Sequence, residues 1–361
     1  MNRRVKKLQN YMLEHKLDGF IIGSEANRMY LSGFTGSNAM LLITLEDTPI
    51  IATDFRYLEQ VANQCPDFKC IDQKQKSALG AVLEYAKEKD LKQIGFEADH
   101  VSYSTYEVLK GAEEMTWIPT KNVVEKFRQI KEEGELEKLA KAESIGDLAF
   151  KAIVPFIQKH WKDGLTENEV ALEIERVMRQ NGATGTSFNT IVASGAKSSL
   201  PHAVPGDEPL KKGDFVVMEF GCIYEGYCSD MTRTVVIGEA SEKHKEIYET
   251  VLAAQKAALE GIRPGLKGKE IDAMARDYIT KAGYGEYFGH GLGHSVGIEI
   301  HENPRFSMME EQVIEEGMVI TVEPGIYVPG FGGVRIEDMI VVTKEGLKNF
   351  THSPKELIII D

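Results

Sequence analysis

The sequence predicts two domains: a smaller α/β domain with a mixed sheet over residues 1–128, and an α+β domain over residues 129–361. Three observations predict this division. A chain of 361 residues with 42% hydrophobic content buries more than one core. Before residue 128, short apolar runs alternate with helical segments, the pattern of an α/β sheet. Beyond it, paired strands rich in β-branched residues are separated from the helices by whole segments.

The first element is a helix, because Val5, Leu8, Met12 and Leu13 recur at helical spacing. Its basic residues, Arg3-Arg4 and Lys6-Lys7, form a solvated face, and the polar interruptions argue against a signal peptide. Apolar runs at 19–23, 39–44, 49–53 and 93–97 read as strands, with helices at 55–64 and 77–89 between them. A charged amphipathic helix over 131–153 opens the second domain. Thr166 and Glu169 form a capping-box pattern ahead of the next helix. The run 215–238 reads as a β-hairpin with Glu225-Gly226 at its turn, followed by helices at 242–260 and 269–281, the last stopped by Gly283.

A net charge of −14 excludes nucleic acid as a partner, which calls for a basic face. No stretch of eighteen apolar residues is present, so no membrane span is expected, and the composition suits a cytoplasmic enzyme. Cys65, Cys70, Cys222 and Cys228 have no C-x-x-C spacing and are expected as reduced thiols. Cys228 shares strand parity with Asp230, and its ordinary reading is a small buried side chain.

Chemistry concentrates in G-H-G-L-G-H-S-V-G-I-E-I-H-E at 289–302. His290, His294 and His301 fall here among glycines that let backbone approach a ligand closely. Carboxylates come from two other runs. If the 215–238 hairpin turns on Tyr224 and Glu225, Glu219 and Asp230 stand opposite each other, a repulsive arrangement unless a cation lies between them. In 317–342, Val319, Thr321 and Glu323 share one strand face, as do Arg335 and Glu337 on the next strand. Glu219, Asp230, His294, Glu323 and Glu337 are therefore candidate metal ligands. Four carboxylates and an imidazole suit Mn²⁺, Co²⁺ or Zn²⁺, and the excess of negative charge favours two ions over one.

The ordered motifs resemble those of the proline-specific metallopeptidases, aminopeptidase P and Xaa-Pro dipeptidase. The resemblance rests on Pro201-His202, G-Y-C-S-D-M-T-R-T at 226–234, the histidine stretch to Pro304, T-V-E-P-G-I-Y at 321–327 and G-V-R-I-E-D at 333–338. In the N-terminal half, Y-L-S-G-F-T-G-S-N-A at 30–39 and T-D-F-R-Y at 53–57 resemble the same family's smaller domain. The resemblance implies a pita-bread catalytic domain, the fold of methionine aminopeptidase and creatinase, behind a creatinase-like α/β domain. It implies that Asp230 and Glu337 bridge two ions, Glu219 completes one shell, and His294 and Glu323 complete the other. Glu323 would also move a proton, while His202 and His301 would stabilise the tetrahedral intermediate. His290, Tyr327 and Arg335 match residues that shape the pocket, and Arg305 falls where prolidase-like members hold a substrate carboxylate.

Expected substrates are peptides with proline in second position, dipeptides ahead of longer chains, and the expected assembly is a homodimer with Phe55, Arg56 and Tyr57 near the partner's site. One residue departs from the family pattern. Glu219 stands where aspartate is usual, and its extra methylene is roughly 1.5 Å against a tolerance of about 0.5 Å for a working site. One ion is therefore in doubt, and a non-catalytic pita-bread binding protein stays open as an alternative.

Overall fold

A computed structural model describes residues 2–361 and divides the chain into two compact units between Arg128 and Gln129. The first unit holds a six-stranded sheet. Its strands run, edge to edge, Lys69–Asp72, Ile50–Thr53, Ala39–Thr44, Gly19–Ile22, Gln93–Glu97 and Thr116–Thr120. The three central strands pair antiparallel and the outer pairings are parallel, so the sheet is mixed. The two edge strands were not legible in the sequence, because they are partly exposed and lack a continuous apolar run.

The first helix, Arg3–Glu14, buries Val5, Leu8 and Met12, but Leu13 is exposed. Gln9 takes the fourth inward position instead, since residues 5, 8, 9 and 12 follow the helical stripe, and its amide donates to the Thr44 carbonyl at 2.8 Å.

In the second unit the long helix Glu133–His160 runs past Pro155, beyond the expected end near 153. Its buried stripe of Ile145, Ala149, Ile153 and Ile157 continues through the proline. Helix Glu167–Gln180 begins in a reciprocal capping box: Thr166 Oγ1 accepts from the Glu169 N–H, and Glu169 accepts from the Thr166 N–H. Helices Glu242–Gly261 and Gly268–Lys281 follow the hairpin, and Gly283 supplies the left-handed residue beyond the second.

The strands of this unit form separate small sheets, mostly antiparallel. One contains Ile191–Ser194, Phe215–Phe220, Met231–Ile237 and Ile358–Ile360, the last joining in parallel. Another contains Glu302–Phe306, Gly293–Ser295, Val319–Val322, Asp338–Thr343 and Gly346–Asn349, paired antiparallel throughout. Two apolar clusters cover these sheets. One joins Val251, Ile271 and Phe306 to Ile320 and Ile340, and the other joins Ile145 and Ile174 to Val216 and Val235.

The hairpin corrects one expectation. Glu225-Gly226 form the turn as expected, but the hairpin is centred on them and not on Tyr224 and Glu225, because both residues adopt positive φ and close a two-residue turn between Tyr224 and Tyr227. Thr232, rather than Asp230, therefore stands opposite Glu219. The shift is two residues in register, so Glu219 and Asp230 keep the same face as diagonal neighbours.

Candidate active site

Four chain segments converge at the sheet ends. Val322 pairs with Asp338, so the next residue along each segment, Glu323 and Glu337, emerges at the same end of the ladder. The strand Gly293–Ser295 lies alongside, with the His294 N–H donating to Thr321 Oγ1 and the Glu323 N–H donating to the Leu292 carbonyl. Asp230 immediately precedes the strand that begins at Met231, and the Glu337 N–H donates to the Thr232 carbonyl at 3.1 Å. Gly293 is required for this approach. A Cβ there would overlap the Thr321 carbonyl oxygen.

Asp230, His294 and Glu337 are all buried and present ligand atoms within 4.8 Å of one another. His294 Nδ1 lies 3.2 Å from the Ser295 carbonyl, which makes it the proton-bearing nitrogen. Nε2 then turns its lone pair toward Asp230 Oδ2 and Glu323 Oε1, each 3.5 Å away. Burial pushes Asp230 up to about 8. Burial, reinforced by Asp230, pushes Glu337 up to about 8 as well, and burial raises Glu323 well above the usual carboxylate range. Burial also lowers His294, leaving its imidazole neutral. Asp230 Oδ1 and Glu337 Oε1 are buried without a hydrogen-bond partner among the described residues. A divalent cation satisfies both orphaned oxygens and offsets the clustered charge, so this donor set fits a metal.

Glu219 is placed differently. Its carboxylate forms an ion pair with the buried guanidinium of Arg335. Arg335 also donates to Thr232 Oγ1 at 3.0 Å and to the Tyr327 hydroxyl at 2.7 Å, and Thr232 in turn donates to Glu337 Oε2 at 2.7 Å. His290 Nε2 meets the same Tyr327 hydroxyl at 2.9 Å. The expected shared strand face of Arg335 and Glu337 is not formed, because one strand ends at Arg335 and the next begins at Asp338, and the two side chains make no hydrogen bond to each other.

A pocket of about 440 Å³ opens over this cluster. Pro201, His202, Glu219, His294, His301 and Glu323 line its wall, with His290, Arg305 and Arg335 contributing further polar groups. Asp230, Glu337 and Tyr327 are buried behind it. The His301 ring stands edge-on to His294, 4.5 Å between centroids, and burial together with the neighbouring His294 lowers its pKa to about 4. Cys228, close in sequence to Asp230, donates its thiol to the Ile298 carbonyl, and burial pushes it up to about 12, which leaves it unreactive. The four cysteines are free.

Supporting residues escaped the sequence reading. Arg276, paired with Asp272, donates to the carbonyls of Phe288 and His290, while Asp272 accepts from the Leu292 N–H, so this pair fixes the loop leading to His294. Glu143 on the long helix accepts from the Asp230 N–H. Its signal was an acid on the apolar stripe of a helix, beside Leu139 and Ala142.

Residues 137–344 match metallopeptidase family M24, and residues 4–130 match the creatinase/prolidase N-terminal domain. The Xaa-Pro dipeptidase of Pyrococcus horikoshii is 41% identical, covering 99% of this chain and 99% of its own. The Xaa-Pro dipeptidase structure from Bacillus anthracis superposes with a TM-score of 0.94 at 46% identity, covering 99% of each chain. The X-Pro aminopeptidase structure from Thermotoga maritima superposes with a TM-score of 0.91 at 37% identity, covering 99% of this chain and 100% of that one. The α+β unit thus has the pita-bread architecture, and the chain is a member of metallopeptidase family M24 carrying a creatinase/prolidase N-terminal domain.

Proposed function

We propose that the chain is a metal-dependent Xaa-Pro dipeptidase. The observation that carries this reading is the convergence of Asp230, His294 and Glu337, with two orphaned carboxylate oxygens, beneath a pocket that also presents His202, His301 and Arg305. Asp230 and Glu337 would hold both ions, His294 and Glu323 would complete one shell, and Glu219 the other. Mn²⁺ or Co²⁺ suits this oxygen-rich set best, with Zn²⁺ next. Such ions supply Lewis acidity, polarising the scissile carbonyl and lowering the pKa of the attacking water.

The remaining chemistry belongs to side chains. Glu323, raised by burial and 3.5 Å from His294 Nε2, is suited to take a proton from the attacking water and pass it to the departing imino nitrogen of proline. His301, neutral at physiological pH, donates an N–H to the oxygen that becomes negative in the tetrahedral intermediate, and His202, which lines the same pocket, does the same. Arg305 presents an exposed guanidinium at the pocket and is suited to grip the free carboxylate of a dipeptide. His290, Tyr327 and Arg335 form one hydrogen-bonded chain behind the pocket and hold its shape.

The likeness to the Thermotoga aminopeptidase favours longer peptides as a second reading. Assembly as a homodimer is part of the proposal, supported by Phe55, which is 78% exposed beside the Arg56–Asp54 pair. Among the described residues no helix is long and apolar enough to cross a membrane, and four free thiols suit a reducing, cytoplasmic location.

The test is one metal-stripped preparation, reloaded with Mn²⁺ or Co²⁺, assayed on Ala-Pro and on a longer Xaa-Pro peptide. Cleavage of Ala-Pro only after reloading, with the longer peptide spared, is expected. Preference for the longer peptide selects the aminopeptidase reading, and cleavage of neither overturns both.

A further inference from the structure

Asp230 and Glu337 reach the candidate metal cluster from different segments, which meet directly where the Glu337 N–H donates to the Thr232 carbonyl, and a second link on the far side of Asp230 adds to that contact. Glu143, fully buried on the helix Glu133–His160, supplies that link, directly to Asp230 and through Thr351 to the segment after Glu337. Its Oε2 accepts from the Asp230 N–H at 3.3 Å. Its Oε1 accepts from the Thr351 hydroxyl at 2.6 Å, and that hydroxyl accepts from the Met339 N–H at 2.9 Å, two residues beyond Glu337. One carboxyl group therefore has an arm on each acid's segment.

We propose that Glu143 is a positioning residue that fixes the spacing of Asp230 and Glu337 for the cation they share. This rests on the metallopeptidase reading above. The location is an expensive one for an acid. Leu139, Ala142, Ile145 and Ala149 surround it on the same buried stripe, and among the described residues no cationic side chain bonds it, so an apolar residue would cost less there. What an apolar residue lacks is two acceptors at a fixed bite. Metal ligands tolerate displacements of only about 0.5 Å, and a fork anchored on the Asp230 backbone and, through Thr351, on the Met339 backbone supplies that precision.

Calorimetric titration of Mn²⁺ into metal-stripped wild type, Glu143→Ala, Glu143→Gln and Thr351→Val tests this, with thermal unfolding of each stripped protein recorded alongside. Glu143→Ala should weaken Mn²⁺ binding roughly 10–100-fold, the usual effect of losing a group that orients a ligand, and Thr351→Val should weaken it in the same direction by less. Glu143→Gln should stay within about threefold of wild type, because its amide oxygen still accepts from Asp230 and its amide nitrogen can donate to Thr351. If Glu143→Ala does not fold, the Gln and Val variants decide the matter. Unchanged Mn²⁺ affinity in Ala and Val, with only a lower unfolding temperature, overturns the proposal and leaves the metallopeptidase reading intact. Damage from Gln equal to that from Ala overturns it too, since charge rather than geometry would then be responsible. A wild type that binds no Mn²⁺ overturns this proposal and the reading beneath it together.

Discussion

The carboxylate of Glu219 is paired with the guanidinium of Arg335, and the same guanidinium reaches Thr232, the residue that stands across the hairpin from Glu219 and bonds Glu337. The longer side chain is thus engaged by a cation of the protein itself. Any ion using Glu219 must share it with Arg335.

Glu219→Asp shortens this arm and should release the carboxylate from Arg335. Calorimetry on the stripped variant should show the weaker ion binding more tightly, on the order of 10–100-fold, with the stronger unchanged. Two sites of wild-type affinity, with equal turnover, would show that the backbone already accommodates the methylene.

The His301 ring stands edge-on to His294, yet the two should separate cleanly by substitution. His294→Ala should lose both bound metal and turnover, whereas His301→Ala should lose turnover and keep its metal. Elemental analysis after gel filtration checks this, and equal metal loss in the two variants would refute the division of roles.

Asp230 and Glu337 make the stripped protein sensitive to pH. Both titrate near 8 in the folded chain, against about 4 for free carboxyls, so between these values the folded state holds more protons than the unfolded one. Stability without metal should therefore fall as pH rises from about 4 to about 8, then level off. Metal binding at pH 7 should release protons, and Mn²⁺ should raise the unfolding temperature more at pH 8 than at pH 6. Titrations in two buffers of different ionisation enthalpy count the protons. Identical heats in both would remove the basis for this prediction.

Gly293→Ala places a methyl group against the Thr321 carbonyl, at the strand contact that carries His294. Overpacking of this kind costs about 1–3 kcal/mol, and urea unfolding should show it together with weakened metal retention. A variant as stable as wild type would mean that the two strands separate without penalty.

Local patterns made much of this protein legible in its sequence. Caps such as Thr166 with Glu169 and the helical stripe of Val5, Leu8 and Met12 depend on residues a few positions apart. The ordered motifs marked the family and named the polar residues that line the pocket, because each motif is a short contiguous run.

Tertiary structure decided what depends on distant segments meeting. The hairpin register turned on which residues adopt positive φ, and the buried amide of Gln9 on the first helix found its acceptor in the Thr44 carbonyl of a strand. The partner of Glu219 and the fork of Glu143 over Asp230 and Thr351 join residues 116 and 208 positions apart. A hydrogen bond or ion pair requires its partner within a few ångströms, and spacing along the chain carries no information about such a meeting until the strands and helices have packed.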